Sequence, residues 1–499
     1  MTKQIAVALF ALAVLIGATV TADAMVERPV APTAEFTEDV RIASGTWYCA
    51  PLVRENESAV LSIAAVGEEP SQVRIERFVG GESSVEQPIE LAPRTTQDVE
   101  VEGSASVAGF VVRWSGGPAV ASWRVDGDQR VGAPCQSSPA PRWTIPGAET
   151  TIGSSTRLYL FNPFDSDAVV RVAFVTPEGR INLVSSDNVS VPAREVVEVG
   201  INELQPEQPD LGLLVEVDAG RVIAGAVQRF GQPDLPDVEL EDVESPLDPT
   251  APEGRTVLPS IADTSTTVGL AYSSSGESSS SWASVVNPTT DPATVAVDVT
   301  DAIAGTVIEQ DITVGPESVQ RIDLSGVSSA PEFGVRLTST NGVPIAANGF
   351  IALIGDDKRV SAAAAVPEAD VMNALPVVPD DAGARIVLYN PGDAAATASV
   401  AVSGEVPAEW SAIELPGGAT QVLSFADDGV SAGGPLEVSA DQPVHATLRL
   451  AAAKSNVNRF ATIPLIPANE WEGSANAPIP VRERTLGTRP VDFPDQPEQ

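Results

Sequence analysis

The sequence predicts an all-β fold of four tandem immunoglobulin-like or fibronectin-like β-sandwiches behind an N-terminal hydrophobic export segment. Three observations carry this. The segments from Arg157, Trp282 and Arg385 each give an apolar strand, an Asn-Pro corner and an alternating strand, with corners at Asn162-Pro163, Asn287-Pro288 and Asn390-Pro391. Two further motifs recur in the same order in every copy: a proline before an alternating strand, at Pro93, Pro192, Pro316 and Pro416, and a hairpin whose closing strand carries Ala121, Ala224, Ala347 or Ala446. Finally, 39 Gly and 42 Pro among 499 residues, with apolar content mostly Val, Ala, Ile and Leu, favour many short strands and turns over long helices.

In the second copy the pattern gives seven strands: Arg157 to Phe161, Val169 to Val175, Ile181 to Val184, Val189 to Val191, Val196 to Ile201, Leu211 to Val217 and Arg221 to Phe230. Seven short strands in roughly 100 residues is the arithmetic of a sandwich, whereas a propeller blade repeats every ~40–50 residues. Each corner asparagine is followed by a proline, which biases it to extended geometry and withholds an N–H from the ladder, while its amide can bond backbone two residues on. These six residues read as architecture, and Asn287→Ala is expected to cost about 0.5–1.5 kcal/mol, the worth of one such hydrogen bond. The first copy is degenerate, with Ala65-Val66 in place of Asn-Pro.

In chain order, Lys3 precedes an apolar run that ends in Thr21-Ala22-Asp23-Ala24, a small-x-small site for cleavage after Ala24. Residues 1–24 are thus a signal peptide, or an uncleaved anchor through residues 5–22. Residues 25–38 form a Pro-rich linker. The four sandwiches are expected at 39–136, 137–231, 256–364 and 365–471, with Ser137 to Pro146 joining the first two, an acidic, Pro-rich linker at 232–255 and a disordered tail at 472–499.

The chemistry-bearing residues are few. Cys49 and Cys135 bracket the first unit, and in an exported chain such a pair is read as a disulfide, worth ~4 kcal/mol on the chain-entropy model. His445 is the single histidine; alternation places it in a slot filled by Val120, Ile223 and Ala346 in the other copies. A multi-histidine zinc site is excluded, and no Gly-x-Ser-x-Gly elbow presents a nucleophile. The carboxylates of the acidic linker lack a calcium-loop pattern and read as a solvated spacer. Ser273 to Ser281 reads as a hairpin tip. Seven tryptophans do not recur at one position and read as core. A net charge of -39 argues against nucleic acid, whose phosphates require clustered Lys and Arg. No cofactor or metal is implied.

With Trp47-Tyr48-Cys49 at its start and repeated corners such as Leu160 to Pro163, the chain resembles the exported bacterial family known as domain of unknown function 5719. That resemblance implies a cell-envelope setting near glycosyltransferase genes and brings no assigned activity. The expectation is a non-enzymatic, exported scaffold, spacer or adhesion protein. The alternatives are a carbohydrate-binding accessory of an envelope-polysaccharide system and, third, a hydrolase. Partners would be envelope polysaccharide or envelope proteins, with membrane contact only through an N-terminal anchor.

Overall fold

Alternating apolar strands divided by Gly and Pro turns fold into antiparallel sheets throughout. The computed structural model describes residues 43–471 except 52–56, 104–105, 126–129, 232–253, 276–278, 302–304, 329, 331, 354–358, 365–368, 380–382 and 451–460. The export segment, the N-terminal linker, nearly all of the acidic linker and the C-terminal tail lie outside the described residues. Among those described, the helical elements are short turns such as Ile201–Leu204 and Ala468–Trp471, and nearly everything else regular is strand.

One strand order recurs four times. In the first stretch an outer sheet runs Ala43–Cys49, Gly109–Gly116, Ser71–Val79, Glu82–Val85, and an inner sheet runs Thr96–Glu102, Ser58–Ala65, Ala119–Val125, Val131–Pro134. The second and third stretches repeat both orders, their inner sheets centred on Ser155–Asn162 and Ser279–Asn287. In the fourth, one 15-residue strand, Leu436–Leu450, serves both sheets: its first part pairs with Ala396–Val402 and its second with Arg385–Tyr389. The other copies break this strand at a glycine, Gly116, Gly220 or Gly342, each at positive φ. The fourth carries Ala440-Asp441-Gln442-Pro443 there and runs on.

Beyond the unbroken strand Leu436–Leu450, where a hairpin is expected, three local expectations differ from what is observed. The Pro-rich stretch read as joining the first two units contains most of a strand, Arg142–Ala148. It lies at the edge of its sheet, where a proline costs no ladder bond, and its register slips between Pro146 and Ala148. Gly254–Leu258, expected to straddle the linker and the third unit, instead completes the second unit's inner sheet against Ile223–Phe230. The strand expected over Ile181 to Val184 ends at Ile181, and Val184–Ser186 is a 3₁₀ turn, pinned by Ser186 Oγ donating to the Val172 carbonyl at 2.7 Å.

The units are not beads. The outer sheet of each covers the inner sheet of the next. At the first junction Phe78 and Phe161 meet edge-on with centroids 5.7 Å apart. At the second, Ala173, Val175 and Leu214 pack on Val286 and Val319, and Arg180 reaches Glu317 at 3.0 Å. At the third, Arg336 bonds the Pro391 carbonyl at 2.9 Å and Asp393 at 3.1 Å. The same relation then joins the fourth outer sheet to the first inner sheet: Ala374 and Ile466 enter the first unit's core, Thr96 Oγ1 donates to the Pro376 carbonyl, and the Gly67 N–H meets Glu437 at 3.4 Å. A heterologous contact used four times with the right rotation closes a ring. Consistent with closure, the innermost strands Val131–Pro134, Gly254–Leu258, Arg359–Ala364 and Ala461–Pro464 adjoin one another in a cycle. The described residues all belong to one compact unit.

Close approach at these junctions is set by one strand position. A Cβ at Gly109 would lie 2.3 Å from the Phe161 ring, one at Gly212 2.6 Å from Val286, and one at Gly334 2.1 Å from the Tyr389 ring. Phe161, Val286 and Tyr389 are the residues just before the corner asparagines, so each corner strand inserts its last apolar side chain into a glycine gap of the preceding unit.

Candidate functional site

The repeated asparagines are fully buried and make the same bonds in each copy. Asn162 donates through Nδ2 to the carbonyls of Ser166 (2.8 Å) and Val191 (3.0 Å), and its Oδ1 accepts the Phe164 N–H at 3.1 Å. Asn287 donates to the carbonyls of Asp291 (2.7 Å), Val314 (3.3 Å) and Gly315 (2.8 Å) and accepts from Thr289 at 3.0 Å. Asn390 donates to Ala394 (2.7 Å) and Leu415 (2.9 Å) and accepts from Gly392 at 2.9 Å. Val191, Val314 and Leu415 belong to outer sheets while the asparagines end inner-sheet strands, so each side chain clamps one sheet to the other. Pro163, Pro288 and Pro391 follow in the turns.

Because Asn287→Ala would leave several buried backbone groups without partners, its expected cost rises to about 1–3 kcal/mol. Urea unfolding of the whole chain measures it. A change below about 0.5 kcal/mol would contradict the clamp.

Cys49 and Cys135 are bonded, with Cα atoms 4.7 Å apart. His445 is buried in the third junction, its ring stacked on Tyr389 at 6.1 Å and 14° and facing Gly269, where a Cβ would lie 2.2 Å from Nε2. Burial lowers the imidazole pKa to about 4. The unfolded state, with an ordinary value near 6.5, therefore takes up a proton first as the pH falls. This contribution is constant above pH ~6.5 and is lost between about 6.5 and 4, so acidification to pH 4.5 costs about 2–3 kcal/mol. The expected outcome is that His445→Val flattens the stability profile by that amount over this window, read from urea midpoints. Parallel profiles would contradict a buried neutral imidazole.

All seven tryptophans are buried, between 0% and 8% exposed, so they form no surface platform. Trp282 stacks on Phe350 with centroids 5.2 Å apart, and the Arg321 guanidinium lies 4.2 Å from its ring. Carboxylates instead work in ion pairs; Glu216 alone meets Arg142, Arg171 and Arg180. Among the described residues no group of three or more His, Cys, Asp or Glu could hold a metal. No described helix is long and apolar enough to cross a membrane.

The feature that sequence reasoning missed is a half-open cavity of about 250 Å³ where the first, second and fourth units meet. Tyr48, Trp123 and Tyr159 contribute aromatic wall, and Gln136, Ser137, Asp263 and Glu470 contribute polar groups, with Ser137 donating to Glu470. Ser260 also lines it, and its Oγ is buried with no hydrogen-bond partner among the described residues. Gly225 leaves one wall of the cavity open. This residue pairs with Tyr159, three before the corner, and a Cβ there would meet nothing within 4 Å. At the same register the other units carry Ser122, Asn348 and Thr447. Asn348 fills its place, donating to the Pro146 and Pro259 carbonyls at 3.0 Å each. A lone glycine in a repeated polar slot was the available signal.

The model of the family of unknown function DUF5719 matches residues 115–280 and 260–486, most of the chain, and the protein belongs to that family. No curated protein matches. Among solved structures, Thermotoga maritima 1070 is similar at 15% identity over 19% of this chain and 85% of its own, with a TM-score of 0.17. The arabinofuranosyltransferase AftD from Mycobacteria (mutant R1389S) is similar at 10% identity over 80% of this chain and 39% of its own, with a TM-score of 0.12.

Proposed function

We propose that the protein is an exported, non-enzymatic scaffold of the cell envelope, built from four immunoglobulin-like β-sandwiches closed head to tail into one body. The observation that carries this reading is the use made of the repeated residues. Asn162, Asn287 and Asn390 are spent on clamping sheets, and the glycine gaps with their inserted side chains weld one unit to the next. Repetition here yields a rigid platform with loops on its faces rather than four copies of a reactive site. The disulfide supports an oxidising compartment, and the surplus of acidic over basic residues favours a soluble surface without affinity for nucleic acid.

Cell fractionation with sequencing of the mature N-terminus tests the setting. The scaffold reading expects the chain in the envelope or the medium, beginning just after Ala24 or retained by residues 5–22. A cytosolic chain with its first 24 residues intact and Cys49 and Cys135 reduced would contradict it.

A further inference from the structure

We propose that the cavity at the junction of the first, second and fourth units binds a neutral saccharide of one or two rings. This goes beyond the scaffold reading, which needs no ligand. The volume of about 250 Å³ lies just under the ~300 Å³ at which drug-sized pockets begin, which suits a small ligand. Each of its accessible polar side chains can accept a hydrogen bond: the carboxylates of Asp263 and Glu470, the Gln136 amide and the Ser137 hydroxyl. A polyol supplies the matching donors.

Among the described residues no Lys, Arg or His lines the cavity, so these walls offer a phosphate, a nucleotide or a carboxylate no countercharge. A cation would be drawn to Asp263 and Glu470, but both are exposed, where water screens them, and the rest of the wall is mainly apolar, where an unpaired ammonium is penalised. The side chains of Tyr48, Trp123 and Tyr159 add apolar wall against which the C–H groups of a sugar can pack. At the equivalent register the other units carry a polar side chain, Ser122, Asn348 or Thr447, where this one carries Gly225.

Isothermal titration of the whole secreted chain with the methyl glycosides of glucose, galactose, mannose and arabinose, and with putrescine as a cationic control, tests this. At least one glycoside should bind saturably, and Gly225→Phe, which fills the cavity, should weaken it at least tenfold without lowering the melting temperature. Gly225→Ser, which restores what the first unit carries, should weaken it several-fold and serves if the phenylalanine variant fails to fold. Asp263→Asn should weaken it less. No heat from any glycoside at about 10 mM, saturation by putrescine alone, or unaltered glycoside binding in both Gly225 variants would each overturn the proposal.

Discussion

Tyr389→Ala is expected to destabilise the protein by about 3–5 kcal/mol, the range for removing a large buried ring. The side chain is 2% exposed, sits in the gap opposite Gly334 and stacks on His445, so its loss opens a void at the third junction rather than within one sandwich. Val286 occupies the same position at the second junction with a smaller side chain, and Val286→Ala should cost correspondingly less, about 1–3 kcal/mol. Urea unfolding of both variants decides the matter. A loss below about 1 kcal/mol for Tyr389→Ala would mean that the third and fourth units do not rest on one another.

The double substitution Cys49→Ser and Cys135→Ser should cost about 2–5 kcal/mol and act first on the first unit. The reason is positional. The first copy has Ala65 where the others have a clamping asparagine, and its disulfide joins the opening strand Ala43–Cys49 of the outer sheet to the residue that follows the inner-sheet strand Val131–Pro134. A covalent tie between the two sheets thus stands in the one copy that lacks the hydrogen-bonded tie. Hydrogen exchange before and after substitution should show protection falling in Ser58–Ala65 and Ala119–Val125. An unchanged urea midpoint would contradict this role.

Much of the fold was legible because strand period, corner chemistry and turn residues are local properties. The all-β class and the recurring corners needed only neighbours in sequence, and the cysteine pair only the count of two cysteines in the chain. Contacts between units were harder to read, since Phe161 meets Phe78 and Tyr389 meets Gly334 from distant parts of the chain. A hint was nonetheless present. The corner strands read Leu158-Tyr159-Leu160-Phe161 and Ile386-Val387-Leu388-Tyr389, continuous apolar runs rather than alternating ones, which is the mark of a strand covered on both faces. The edge strand Arg142–Ala148 was hidden because its Pro146, with Pro139 and Pro141 just before it, suits a linker as well as an edge. The cavity was hidden more deeply: a missing side chain at Gly225 has meaning only once the register shows what fills that slot elsewhere.

Small-angle X-ray scattering of the chain trimmed to residues 43–471 tests closure of the four units most directly. A single closed body of this length should have a radius of gyration of roughly 22 Å and a pair-distance distribution with one peak. Four sandwiches strung on linkers would give roughly 40 Å or more, from units of ~13 Å each, with a long skewed tail; that result would contradict the ring.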